Sequence, residues 1–141
     1  MDTRSQISLE RGSSSPDAAR ARAADALYAT GHWLLSRERV LDAASVFRAL
    51  AVIAPEDERA WLALGACHES LKQQDLALTM YGTGQALTAP AVRSRLARAR
   101  VLLALGRDDE AENIVNEAAE QADATGDEAL MALVSKERGA P

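Results

Sequence analysis

Residues 62–70 read LALGACHES, which sets Cys67, His68, Glu69 and Ser70 in four consecutive positions. A thiol, an imidazole, a carboxylate and a hydroxyl are the groups of nucleophilic, acid–base and metal chemistry. Whether they act together depends on the backbone beneath them. On a helix, side chains one and two residues apart do not face each other, and Cys67 and His68 point about 100° apart. The run therefore cannot converge on one reacting atom unaided. The other histidine is His32, and no CxxC or HExxH spacing supports a metal site. YGTGQAL offers a second candidate, since Gly82 and Gly84 could suggest a phosphate loop. Such a loop needs a preceding strand and open backbone, whereas this pair falls inside a predicted helix. Elsewhere there is no GxSxG elbow, no Walker loop and no carboxylate pair at a recognisable spacing. The expectation is a protein with no catalytic residues, no cofactor and no metal, in which Cys67 and His68 are packed scaffold.

The elements carrying these residues follow from composition and period. The chain of 141 residues is 48% hydrophobic and 4% aromatic, rich in Ala and Leu and poor in β-branched residues, a mixture that favours helix over strand. Its length suffices for one domain whose core needs no disulfide or metal. A formal charge of −5 opposes general nucleic-acid binding, which requires a basic face to displace counterions. One cysteine can form no internal disulfide. The opening MDTRSQISLERGSSSP lacks an apolar leader core, and no run approaches the roughly 18 apolar residues of a membrane span. Together these features predict a soluble, cytoplasmic, all-α protein with no nucleic-acid partner and no direct membrane insertion.

Residues 1–15 are polar, with a serine run at Ser13, Ser14 and Ser15, and are expected to form a flexible arm; residues 139–141 are expected to form a flexible tail. Order is predicted to begin at Ser15-Pro16-Asp17, a capping serine, a proline suited to the first turn and an acid that favours the helix dipole. A period of 34 residues then organises the chain. It relates Gly31 to Gly65 and Ala99, Ala43 to Ala77 and Ala111, Phe47 to Tyr81 and Val115, and Leu50 to Gly84 and Ala118.

The period and residue types resemble the tetratricopeptide repeat, a helix–turn–helix unit. The copies fall at about 24–57, 58–91 and 92–125, within a domain spanning 16–138 that ends in a cap helix at about 127–136. The implied fold is all-α: three tandem repeats in a short right-handed superhelix, with an extended N-terminal helix and a C-terminal cap helix. Trp61, Leu64, Gly65, Ala77 and Tyr81 fill the signature slots of the middle copy, whereas the third has Arg95 and Arg98 where Trp and Leu are usual. A mid-helix glycine costs about 1 kcal/mol relative to alanine. Gly31 and Gly65 therefore predict close approach of the paired helix at Ala43 and Ala77, with Phe47 and Tyr81 filling the space between successive units.

In such an array the first helices line a concave groove. The groove side is expected to show Tyr28, His32 and Leu35 from the first copy, Leu62, Ala66 and Glu69 from the second, and Arg93, Leu96 and Arg100 from the third. Tyr28, Leu62 and Leu96 share one slot and form an apolar track suited to an extended peptide; the competing reading packs them against the chain's own N-terminal helix. If the track faces solvent, Leu62→Glu or Leu96→Glu should release a partner and leave melting nearly intact. The clamp that grips the carboxylate terminus of heat-shock chaperones would fall on Tyr28, His32, Ala63, Arg93 and Ala97, of which Arg93 alone is suitable, so that function is not expected.

A narrower resemblance rests on LYATGHWLL, VFRALAVIAPEDERAWLALGACHESLKQQDLALTMYGTGQAL and VLLALGRDDEAENIV. Over roughly residues 25–122 the chain looks like the class II chaperones of type III secretion, the SycD/LcrH-like translocator chaperones. It departs from them where their aromatic-rich second repeat is reduced to Trp61, and where Pro90 alone remains of the proline-rich entry to the third. The resemblance implies a bacterial cytoplasmic chaperone that holds a secreted, hydrophobic translocator-type protein by an extended, proline- and leucine-containing segment and keeps it export-competent. It also implies a weak homodimer through the N-terminal helix. Tyr28, Leu62 and Leu96 would receive the segment's anchors, and His32, Ala66 and Arg100 would shape the walls. The repeat slots by themselves are equally compatible with a generic adaptor that scaffolds a regulatory or assembly complex.

Overall fold

A computed structural model describes residues 15–139, so residues 1–14 of the predicted arm and residues 140–141 of the predicted tail lie outside the described residues. Among the described residues the regular structure is helical throughout: α1 Pro16–Ser36, α2 Val40–Ile53, α3 Glu58–Ser70, α4 Gln74–Leu87, α5 Val92–Ala104, α6 Asp108–Thr125 and α7 Glu128–Glu137. Consecutive helices pack on one another along the chain, as an array of helical pairs requires. The N-terminus of α1 forms where predicted, with Ser15 Oγ accepting from the Ala18 amide at 3.1 Å and Pro16 at the first helical position. Asp127 caps α7 in the same manner, accepting from the amides of Ala129 and Leu130.

The first helix of each pair ends in one recurring turn. The amides of Arg39, Gln73 and Arg107 donate to the carbonyls of Leu34, His68 and Leu102 at 3.0, 2.8 and 2.9 Å. The preceding residues Glu38, Lys72 and Gly106 take φ of 61°, 61° and 75°. Left-handed backbone favours glycine, yet the first two copies place Glu and Lys there at a cost of about 1–2 kcal/mol each. The 34-residue period thus continues through the turns, where residue types disguise it.

Packing inside each pair explains the helical glycines and corrects one expectation. A Cβ on Gly31 would overlap the Phe47 ring, and a Cβ on Gly65 would overlap the Tyr81 ring. The aromatic rings therefore lie against the glycine of their own pair, and do not simply fill the space between units. Ala43 and Ala77 are fully buried beside them. Gly84 belongs to the same class, since a Cβ there would meet Trp61 Cβ and Ser94 Oγ at 2.8 Å each.

The third copy meets the same need with different residues. Trp61 Nε1 donates to the Pro55 carbonyl at 2.8 Å, and Arg95, one period later, donates through Nη1 to the Pro90 carbonyl at 2.8 Å. The arginine ties its helix to the entering loop as the indole does. Arg98 reaches Gln85 Oε1 at 3.1 Å. No side chain at the N-cap position of α5, Ala91, closes that helix. Glu58 of α3 does so instead, accepting from the Ser94 amide at 3.1 Å and Ser94 Oγ at 2.8 Å. No described helix is long and apolar enough to cross a membrane.

Candidate functional site

The opening constellation dissolves into separate packing roles. Cys67 is fully buried, and that burial pushes its thiol pKa up, away from thiolate chemistry. His68 is 7% exposed in the slot that Leu34 and Leu102 fill in the neighbouring copies, and its Nδ1 lies 2.8 Å from Gln73 Oε1. Glu69 accepts a hydrogen bond from the Tyr81 hydroxyl. Burial, and then the Glu69 carboxylate, push the Tyr81 pKa well above the ordinary phenol range. A phenol held neutral in the fold but free to ionise at about 10 when unfolded contributes stability that is lost as pH rises above that value. Urea melts at increasing pH should show stability falling above pH ~10, with a shallower fall in Tyr81→Phe; equal slopes would contradict this.

A cavity of about 400 Å³ opens on the face made by α1 and α3, with Arg93 of α5 at its edge. Its apolar wall is Tyr28, Leu35, Leu62, Ala63 and Ala66, with His32 beside them. Tyr28 and Leu35 are half-buried and pack on the core of the first three helices, which places them where they can present an apolar surface and hold it rigid. The centroids of the Tyr28 and His32 rings lie 4.4 Å apart, and the Arg59 guanidinium stands over the Tyr28 ring at 4.6 Å from its centroid. Arg59 is fixed by ion pairs to Asp57 at 2.8 Å and Asp25 at 2.9 Å, and its guanidinium holds the Asp57 carboxyl below its usual range.

A second cavity of about 260 Å³ continues from the first, lined by Leu62, Arg93, Leu96, Arg100 and Leu133. Leu62 and Arg93 border both. The two cavities form one groove across α1, α3 and α5, closed at its far end by α7.

The structure brings eight of the nine sequence-predicted residues to this groove, and Glu69 is the one it leaves aside, engaged with Tyr81. Leu96 needs correction. It is 4% exposed, locked in a cluster with Val92, Ala118, Ala122, Leu130 and Val134. The cap helix covers it, so it offers the groove only an edge, and Leu96→Glu cannot leave melting intact. Arg100 is exposed but lies 3.4 Å from Glu137 of α7. Beyond the nine, the lining also includes Glu58, Arg59, Ala63 and Leu133. Arg59 carried a signal, because it stands one period before Arg93. Leu133 carried none, because α7 lies outside the period.

Comparison with known proteins bears on this groove. No protein-family model matches the chain. The low calcium response locus protein H of Yersinia pestis is 39% identical over 72 residues, a match covering 51% of this chain and 43% of the relative, so the matched segment spans less than half of that protein's length. The translocator chaperone SycD of Yersinia enterocolitica superposes with a TM-score of 0.74 at 28% identity, over 89% of this chain and 88% of SycD. PcrH of Pseudomonas aeruginosa, solved in complex with the chaperone binding region of PopB, superposes with a TM-score of 0.69 at 31% identity, over 87% of this chain and 96% of PcrH. The chain belongs to the SycD/PcrH family of type III secretion translocator chaperones. The three helical pairs and the closing helix of this SycD/PcrH-type chain are the scaffold on which its groove is built, and the family is one of chaperones.

Proposed function

We propose that this SycD/PcrH-type chain is a cytoplasmic chaperone that holds an extended segment of a secreted, translocator-type protein in the groove and keeps that protein soluble and competent for export. The single observation that carries the reading is the pair of cavities joined at Leu62 and Arg93, in a chain similar to PcrH, which is known in complex with the chaperone binding region of PopB. The protein acts by binding and release, without turnover. Tyr28, Leu35 and Leu62 receive apolar anchors; His32, Ala66, Arg93 and Arg100 border them. A translocator's membrane-seeking helices would aggregate if left exposed, so occupying part of the chain before export has a physical purpose.

Two or three anchors at about 1.5–3 kcal/mol each must offset several kcal/mol of association and ordering cost. One short segment should therefore bind near the micromolar range. The test is co-purification of the tagged protein from its native host, with Leu62→Glu in parallel. Wild type should retain a large, secreted, apolar protein. Leu62→Glu should weaken retention by roughly tenfold or more, with only a small change in Tm, because Leu62 is half-buried on the groove wall. Equal retention by both, or recovery of soluble cytosolic proteins alone, would point to the generic adaptor instead.

A further inference from the structure

The charged groups around the groove are not equivalent. Glu58 is consumed in closing α5 through Ser94. Arg59 is paired with Asp25 and Asp57, and Arg100 with Glu137. Arg93 is exposed and, among the described residues, makes no ion pair and no side-chain hydrogen bond. The period explains why. Asp25, Arg59 and Arg93 occupy one slot in successive copies. The first step of that ladder joins an acid to a base, 2.9 Å apart; the second sets arginine after arginine and leaves the last without an acid. Arg93 is also one of the two residues bordering both cavities. An occupant that fills them must pass over it and strip water from it.

We propose, resting on the groove reading above, that Arg93 selects an acidic side chain in the bound segment, placed between the anchor that enters the Tyr28–Leu62 cavity and the anchor that enters the Leu62–Leu133 cavity. A guanidinium desolvated without a partner is costly, whereas one met by a carboxylate gains a charge-assisted hydrogen bond. A basic side chain at that point is rejected by like charge, so the arginine contributes discrimination more than raw affinity. Arg100 already has an acidic neighbour in Glu137 and borders only the second cavity, so it is less well placed for this role.

The test pans a random-sequence peptide display library on wild type, Arg93→Glu and Leu62→Glu. Arg93 is exposed and holds no ion pair or side-chain hydrogen bond among the described residues, and the first turn of α5 favours an acid by its dipole. Arg93→Glu should therefore retain the fold despite Glu58 nearby, which a Tm within a few degrees of wild type checks. Wild type should enrich peptides with Asp or Glu between two apolar residues, and Arg93→Glu should enrich Lys or Arg at that position. A synthetic peptide from the wild-type pool should bind Arg93→Gln about five- to tenfold more weakly than wild type, with a smaller dependence on salt. Enrichment of apolar peptides with no charge preference, unchanged in Arg93→Glu, would overturn the Arg93 assignment and leave the groove intact. Failure to enrich any peptide lost on Leu62→Glu would overturn the groove reading together with it.

Discussion

Leu96→Glu should destabilise the protein by about 3–5 kcal/mol, a large part of the 5–15 kcal/mol that holds a domain together. Leu96 is shared between α5 and the closing helix, among Val92, Ala118, Ala122, Leu130 and Val134. None of these offers a hydrogen bond, so a carboxylate at that point is desolvated except where it can turn toward Arg93 and Arg100, which share the second cavity with it. The substitution also removes the apolar contact that seats α7, and the C-terminal pair should loosen first. Urea or thermal melts give the magnitude. The loss should shrink as pH is lowered and the introduced carboxyl becomes neutral. A Tm within a few degrees of wild type would show that Leu96 is a groove residue free to reach solvent, as the repeat slot alone suggests. The contrast with Leu62→Glu is the informative comparison: same slot, same substitution, opposite balance between lost folding and lost binding.

Gly65→Leu should cost about 3 kcal/mol, because the new side chain must displace the Tyr81 ring and with it the hydrogen bond to Glu69. The glycine's penalty within the helix, about 1 kcal/mol, offsets only part of that. The third copy supplies its own control. At the matching slots it carries Ala99 and Val115, a larger residue facing a smaller one. Gly65→Ala combined with Tyr81→Val reproduces that pair. The double variant should be more stable than the two single losses added together, by about 1 kcal/mol or more of coupling. Strict additivity would mean that glycine and ring do not constrain each other.

Much of the array was legible because its period is carried by size. Gly31, Gly65, Ala43, Ala77, Phe47 and Tyr81 mark the close helix contacts directly. The period is harder to see where different chemistry meets the same need. Trp61 and Arg95 look unrelated, yet each donates to the carbonyl of the proline before its helix. Glu38, Lys72 and Gly106 look unrelated, yet each holds the same left-handed turn. The groove was legible from slot positions along α1 and α3, whose groove side chains α7 does not cover as it covers Leu96. It failed at Leu96 because the slot rule describes an open array, and α7 closes this one. Glu69 failed for a different reason: a residue at the rim of the groove face was recruited to hold the aromatic of its own pair.

The reach of Glu58 across to Ser94 bears on how freely this chain could be rearranged. Repeats are commonly pictured as interchangeable modules, each complete in itself. Here α5 begins without a cap of its own and borrows one from a helix in the preceding copy. Ala24 occupies the slot of Glu58 one copy earlier, so the first copy lends nothing comparable. Moving the third copy behind the first, or deleting the second, would leave the start of α5 unprovided even if every apolar surface still matched. The second and third copies are therefore joined by polar chemistry as well as by shape.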